Sequence, residues 1–124
     1  MEQLKENIAF YDTQEPLNAQ ETEALLQIAN EMTSIGTVPC TACRYCTSHC
    51  PMELDIPALL SLYNEHKFTG GGFLAPMALK PYSDDKKPQA CLACGSCSAL
   101  CPQQIDIPGK LADFSEMLKD NPWS

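Results

Sequence analysis

One pattern of cysteines occurs twice in this sequence, and it constrains the fold more than any other feature. The run CTACRYCTSHCP occupies residues 40–51, and the run CLACGSCSALCP occupies residues 91–102. Both have the spacing C-x2-C-x2-C-x3-C-P, and each position in the second follows its counterpart by 51 residues. The two runs contain all the cysteines of the chain, which are Cys40, Cys43, Cys46, Cys50, Cys91, Cys94, Cys97 and Cys101. The chain is therefore built on two copies of one unit that is dense in thiols.

The repeat continues beyond the cysteines into a segment that we predict to be helical. Asp55-Ile56-Pro57 recurs as Asp106-Ile107-Pro108. An aspartate suits a helix N-cap, and proline is tolerated in the first helical turn. Apolar residues follow at helical spacing in both copies; they are Ile56, Leu59, Leu60 and Tyr63 in the first and Ile107, Leu111, Phe114 and Leu118 in the second. We expect the first helix to end before Gly70 and the second before Pro122.

Outside the repeats, the sequence predicts one further helix and one long loop. Asn18 and Glu21 have the spacing of a capping box, so a helix is expected from about Ala19 to Met32. Residues 1–16 have no strong pattern. Residues 70–88 are rich in glycine, proline and charge, which indicates a loop with a short helical turn near residues 76–79.

The predicted fold class is mostly α, because no segment shows the alternation of a strand. We expect two cysteine-loop and helix repeats whose cysteine loops face each other. The repeats cover about residues 38–68 and 89–119. We assign residues 1–35 to an N-terminal linker segment with its helix and residues 36–124 to the domain that holds the cysteines.

Charge and apolar patterning exclude several classes of function. The chain has 16 acidic and 8 basic residues, for a formal net charge of −8, which argues against binding to nucleic acid or to an anionic membrane. No apolar run is long enough to span a membrane, and the start MEQLKENIAF lacks the features of a signal peptide. We therefore expect a cytoplasmic protein with reduced thiols, no membrane insertion and no nucleic-acid partner.

Three chemistries compete for these thiols. Disulfides are disfavoured because the expected compartment is reducing and the short spacing invites mispairing. Structural zinc sites usually take two ligand pairs separated by a longer spacer. His49 could replace a thiol at such a site, but its counterpart is Leu100, so we interpret His49 as a solvated side chain or as a support for the loop. Iron–sulfur chemistry is favoured, since three cysteines on a tight turn reach three corners of one cluster.

The cysteine spacing resembles that of bacterial-type two-cluster ferredoxins, in which the fourth cysteine of each run binds the other cluster. The resemblance implies two [4Fe–4S] clusters as cofactors. It also implies one cluster held by Cys40, Cys43, Cys46 and Cys101, and another held by Cys91, Cys94, Cys97 and Cys50. Such an exchange of ligands would connect the two repeats through metal.

A closer resemblance is to the C-terminal ferredoxin domain of the iron–sulfur aldo/keto reductases. It is carried by residues 38–65, VPCTACRYCTSHCPMELDIPALLSLYNE, and more weakly by residues 6–32, which are similar to the segment that links the barrel to that domain. A (β/α)8 barrel needs about 250 residues, so the catalytic set and nicotinamide site of that family are not carried over. The resemblance implies a module of the α-helical ferredoxin type without a catalytic site of its own.

The sequence leaves three functions open. The favoured one is electron transfer as a module of, or partner to, an aldo/keto-reductase-like oxidoreductase. The alternatives are a free ferredoxin shuttle and a structural or sensory iron–sulfur domain. With both clusters bound, the net charge is about −12. This charge either suits a basic docking surface on a redox protein or a fused reductase domain or serves solubility alone, and we weight the two interpretations about equally. Arg44 and Tyr45 interrupt the small residues of the first loop. Three interpretations are open, which are shielding or tuning of that cluster, a docking surface, and simple surface exposure, and we favour the last.

Overall fold

The structure is a computed structural model, which describes residues 1–13 and 15–123. Within these ranges the regular structure is helical and contains no strand, so the mostly-α prediction is confirmed. The α-helices in chain order are α1 (Glu2–Thr13), α2 (Ala19–Ser34), α3 (Ile56–Thr69), α4 (Leu74–Leu79), α5 (Ser96–Ala99) and α6 (Ile107–Lys119). Short 3-10 turns lie at Thr47–His49, Asp84–Lys86 and Pro88–Ala90. No helix of the described residues is long and apolar enough to cross a membrane.

The chain forms two compact units, and the first ends at Ser34. It consists of α1 and α2. The predicted capping box is present, since the Asn18 side chain accepts from the N–H of Glu21 at 3.0 Å and the Glu21 carboxylate accepts from the N–H of Asn18 at 2.9 Å. The sequence did not predict α1. Its side chains from Glu2 to Asp12 are all exposed, and the residue before it, Met1, is not of the capping type that predicted α2.

The second unit begins at Ile35 and is built around α3 and α6, the helices of the two repeats. Both start where the sequence predicts. Asp55 accepts from the N–H of Ala58 at 3.4 Å, and Asp106 accepts from the N–H of Gly109 at 3.2 Å. The largest fully buried side chains of the two repeats are Leu54, Ile56, Leu59, Leu60 and Tyr63 in the first and Ile107, Leu111 and Phe114 in the second. The repeats therefore pack the same faces of their helices into one shared core.

An aromatic pair lies at the centre of this contact. The rings of Tyr63 and Phe114 meet edge to face with centroids 6.0 Å apart. The Tyr63 hydroxyl donates to Asp113 at 3.0 Å, and Lys67 pairs with the same carboxylate at 3.6 Å. Burial, followed by the neighbouring carboxylate of Asp113, raises the pKa of Tyr63 to about 12. The hydroxyl therefore remains a neutral donor that joins α3 to α6 at ordinary pH.

The segment after α3 is more ordered than the sequence predicts. α3 ends at Gly70, which has a left-handed backbone with φ of 70°. The expected turn near residues 76–79 is the second half of a helix, α4, which packs against α3. Ala75 and Leu79 are buried on its inner side. Tertiary packing of these residues stabilises a helix that is too short to form alone.

Candidate iron–sulfur centres

The two cysteine loops have the same backbone shape. Non-glycine residues rarely have positive φ, yet Ala42 and Arg44 do so in the first loop, with φ of 53° and 65°. Their counterparts in the second loop, Ala93 and Gly95, have φ of 53° and 76°. These left-handed positions separate the first three cysteines of each run, so each loop curls and presents its thiols toward one centre.

The first loop faces a cavity that is completed by the second repeat. Four thiols line this first cavity, and they belong to Cys40, Cys43, Cys46 and Cys101. The remaining wall includes Pro57 and Leu60 of α3 together with Ile105 and Ile107. It encloses about 320 Å³ of space, part of which is open to solvent.

The second loop faces a second cavity of the same construction. The four thiols that line it belong to Cys91, Cys94, Cys97 and Cys50. Pro108 and Leu111 of α6 complete the wall together with Leu54 and Ile56, and the enclosed space is again about 320 Å³. Every residue that lines one cavity has a counterpart, 51 positions away, that lines the other. The repeat in the sequence is therefore an internal two-fold relation between two sites.

The donor set of each cavity fits an iron–sulfur cluster. All eight cysteines are free thiols in the structure. Within residues 1–13 and 15–123, no three histidine, cysteine, aspartate or glutamate side chains converge on a position for a single metal ion. A zinc site needs its four sulfurs at about 2.3 Å from one ion. Four thiols spread around a cavity instead suit a cofactor of several iron atoms, each bound to one cysteine.

The thiols differ in their protonation chemistry. Burial raises the pKa of Cys46 to about 11 and also raises the pKa of Cys97. Hydrogen bonds from Ser96, first from its main chain and then from its side chain, lower the pKa of Cys94. Since the thiolate is the form that binds metal, occupation of either cavity must release protons from the buried thiols.

Two residues outside the cysteine runs support the walls of the cavities, and sequence reasoning missed both. Asn64 on α3 accepts from the N–H of Val38 at 2.7 Å and donates to its carbonyl at 2.8 Å, which fixes the chain just before Cys40. The Lys86 ammonium donates to the carbonyl of Met52, a wall residue of the second cavity, at 2.8 Å.

The internal repeat gives no signal for these two supports. The residue 51 positions from Asn64 is Ser115, and the residue 51 positions from Lys86 is Ile35. Neither pair shares its chemistry, so a comparison of the two copies does not single them out.

The remaining residues singled out in the sequence lie at the rims of the cavities. His49 is exposed, lines the second cavity and shares a hydrogen bond with the Ser48 hydroxyl at 3.0 Å. Tyr45 is exposed, as expected of a surface residue. Arg44 is also exposed, but it lines the first cavity and pairs with Asp55 at 3.3 Å. Arg44 is therefore both exposed and part of the wall of the first cavity.

The helical fold and the paired four-thiol cavities define a class, that of two-cluster iron–sulfur proteins of the ferredoxin type. A family model described as a 4Fe-4S dicluster domain matches residues 39–105, which is more than half of the chain. The chain belongs to this family, and it binds two [4Fe–4S] clusters. No curated protein and no solved structure matches the chain.

Proposed function

We propose that this protein is an electron-transfer module that passes single electrons through its two clusters to or from a redox partner. The observation that carries the proposal is the closeness of the two cavities. Ile56 lines the second cavity and the next residue, Pro57, lines the first. In the second repeat, Ile107 lines the first cavity and the next residue, Pro108, lines the second. Only the first turns of two helices separate the cavities, so an electron has a short apolar path between them.

The residues of the chain have distinct parts in this function. We assign Cys40, Cys43, Cys46 and Cys101 to one cluster and Cys91, Cys94, Cys97 and Cys50 to the other, as the linings of the cavities support. The bound clusters supply one-electron redox chemistry. The buried walls around them limit the access of water, which is one of the factors that set a reduction potential. In this proposal the chain has no catalytic site of its own, and the substrate binds to the partner.

We further propose that the partner is an aldo/keto-reductase-like oxidoreductase, either fused or separate, in the cytoplasm. The resemblance of residues 38–65 and 6–32 to the ferredoxin tail of those enzymes supports this assignment. So does the exposed apolar surface of α2, where Leu25 and Ile28 are 54% and 53% exposed. A helix with such a stripe favours contact with another apolar surface.

The first experiment measures the iron and acid-labile sulfide of anaerobically purified protein and its EPR spectrum after reduction with dithionite. We expect about eight irons and eight sulfides per chain, with signals from two reduced clusters. Stoichiometric zinc, or iron that is never reduced at accessible potentials, would overturn the electron-transfer proposal and leave a structural metal domain.

A second experiment separates the module from a free shuttle. The probe is the separately expressed barrel of an iron–sulfur aldo/keto reductase, and the readout is its rate of reduction by the reduced full-length chain. We expect Ile28→Glu to slow this reduction while leaving both clusters intact. Gln20→Glu adds the same charge to α2 and serves as the control. Equal rates for the two variants would favour the shuttle.

A further inference from the structure

The two cavities match in position but differ in one charge. Most matching wall residues are identical or are both apolar, as with Ile105 and Leu54. The largest difference is Arg44, which lines the first cavity where Gly95 lines the second. A guanidinium is charged at every accessible pH. One cluster site therefore has a permanent cation in its wall at a position where the other has no side chain.

The backbone conformation of the loop does not require an arginine at this position. Arg44 and Gly95 both have positive φ, at 65° and 76°. Glycine adopts this conformation without steric cost, whereas a residue with a Cβ does not. The first repeat thus retains a residue that its backbone disfavours. Other non-glycine residues also have positive φ, and they are Ala42, Glu53, Ala93 and Gln104. The charge of Arg44 and its position in the wall, rather than its φ, therefore point to a role.

An ion pair restrains the arginine at the cavity. Its guanidinium lies 3.3 Å from the carboxylate of Asp55, the N-cap residue of α3. Asp106 occupies the matching position on α6 and accepts from the N–H of Gly109. Because Asp55 holds the side chain toward the start of α3, the positive charge remains beside the wall to which Pro57 belongs.

We propose that Arg44 raises the reduction potential of the cluster in the first cavity above that of the cluster in the second. The inference rests on the proposed electron-transfer function. Reduction adds a negative charge, which a nearby cation stabilises. At equilibrium, a single electron added to the protein therefore resides mainly on the cluster in the first cavity.

Charges near the second cavity are fewer or compensated. Lys86 contacts the carbonyl of Met52, pairs with Glu53 at 3.4 Å and does not line the cavity. Arg44 is also paired, with Asp55, but Asp55 has an equivalent in Asp106 of the second repeat, whereas Arg44 has none. His49 lines the second cavity. His49→Leu gives this wall the residue that the first cavity has at Leu100 and controls for the His49 side chain.

The test is a potentiometric EPR titration of the cluster-loaded, full-length chain at pH 8.5. We expect two reduction steps whose equilibrium constants differ by about tenfold, which corresponds to about 59 mV for one electron. Arg44→Gln should lower the higher potential toward the lower one. Arg44→Lys should largely preserve it, because the charge remains.

The reciprocal variant supplies the matched control. A Cβ at Gly95 meets nothing within 4 Å, so Gly95→Arg has room, and Asp106 is available as its partner. This variant should raise the lower potential and leave the higher one nearly unchanged. Coincident potentials in the native protein, or equal shifts with Arg44→Gln and Arg44→Lys, would overturn the inference while the electron-transfer function stands. Clusters that are never reduced would instead overturn the function itself.

Discussion

Asn64 fixes the start of the first cysteine loop through both ends of its side-chain amide. It bonds the N–H and the carbonyl of Val38, a residue that is itself buried. The matching residue, Ser115, has a buried hydroxyl without a hydrogen-bond partner among the described residues. At these equivalent positions, the Asn64 side chain is therefore hydrogen-bonded, whereas the Ser115 hydroxyl is not bonded within the described part of the chain.

We expect Asn64→Ala to destabilise the loaded protein by about 1–3 kcal/mol, because it leaves the N–H of Val38 unpaired. The carbonyl of Val38 keeps a second partner, since it also accepts from the N–H of Cys40 at 2.8 Å. Anaerobic denaturation measures the loss, and the first cluster should be released earlier than the second. Ser115→Ala is the control, and it should be neutral or slightly stabilising, since it removes an unpaired hydroxyl. Equal losses for both variants would show that the Asn64 bonds do not hold the loop.

At the scale of the element, caps and tertiary contacts decide where helices form. The DIP segments predicted α3 and α6 because aspartate and proline mark a helix start. The sequence did not predict α1 or the full length of α4, for different reasons. α4 is short and depends on packing against α3, whereas α1 follows Met1, which is not a capping residue of the kind that predicted α2.

The C-cap of α3 provides a direct test at this scale. Gly70 has φ of 70°, and a Cβ there would meet nothing within 4 Å. The cost of Gly70→Ala is therefore conformational, and we expect a loss of about 1–2 kcal/mol in the free energy of unfolding. Gly70→Asn should cost less, because asparagine tolerates this conformation.

Gly72→Ala serves as the control for this substitution, since Gly72 is not among the residues with positive φ. Denaturant titration of the three variants under anaerobic conditions provides the comparison. A loss at Gly72 as large as that at Gly70 would contradict the role of the left-handed cap.

At the scale of the whole second unit, each cavity is walled by both repeats. The cysteine spacing and the resemblance to ferredoxins predict eight thiol ligands in two sets. The linings of the two cavities agree with that division, which stays a prediction. The sequence did not predict Asn64, Lys86 or the wall position of Arg44. These depend on contacts between segments that are distant in the chain, such as the contact of Lys86 with Met52 across a separation of 34 positions.

The proposed exchange of ligands makes a prediction about single cysteine variants. Cys101→Ser lies in the second run, yet it should perturb the same EPR component as Cys43→Ser, because both thiols line the first cavity. Cys94→Ser should perturb the other component. If Cys101→Ser and Cys94→Ser altered the same component, the proposed exchange of ligands would be wrong.

The shared walls also set an order of events during synthesis. The first cavity needs Cys101 and Ile107, and the second needs Leu111, so neither is complete until the ribosome has passed these residues. At about 5–20 residues per second, the first cysteine loop waits several seconds for its remaining wall. Both clusters must therefore be completed only after the second repeat has been made, and a product truncated before it would emerge with neither site closed.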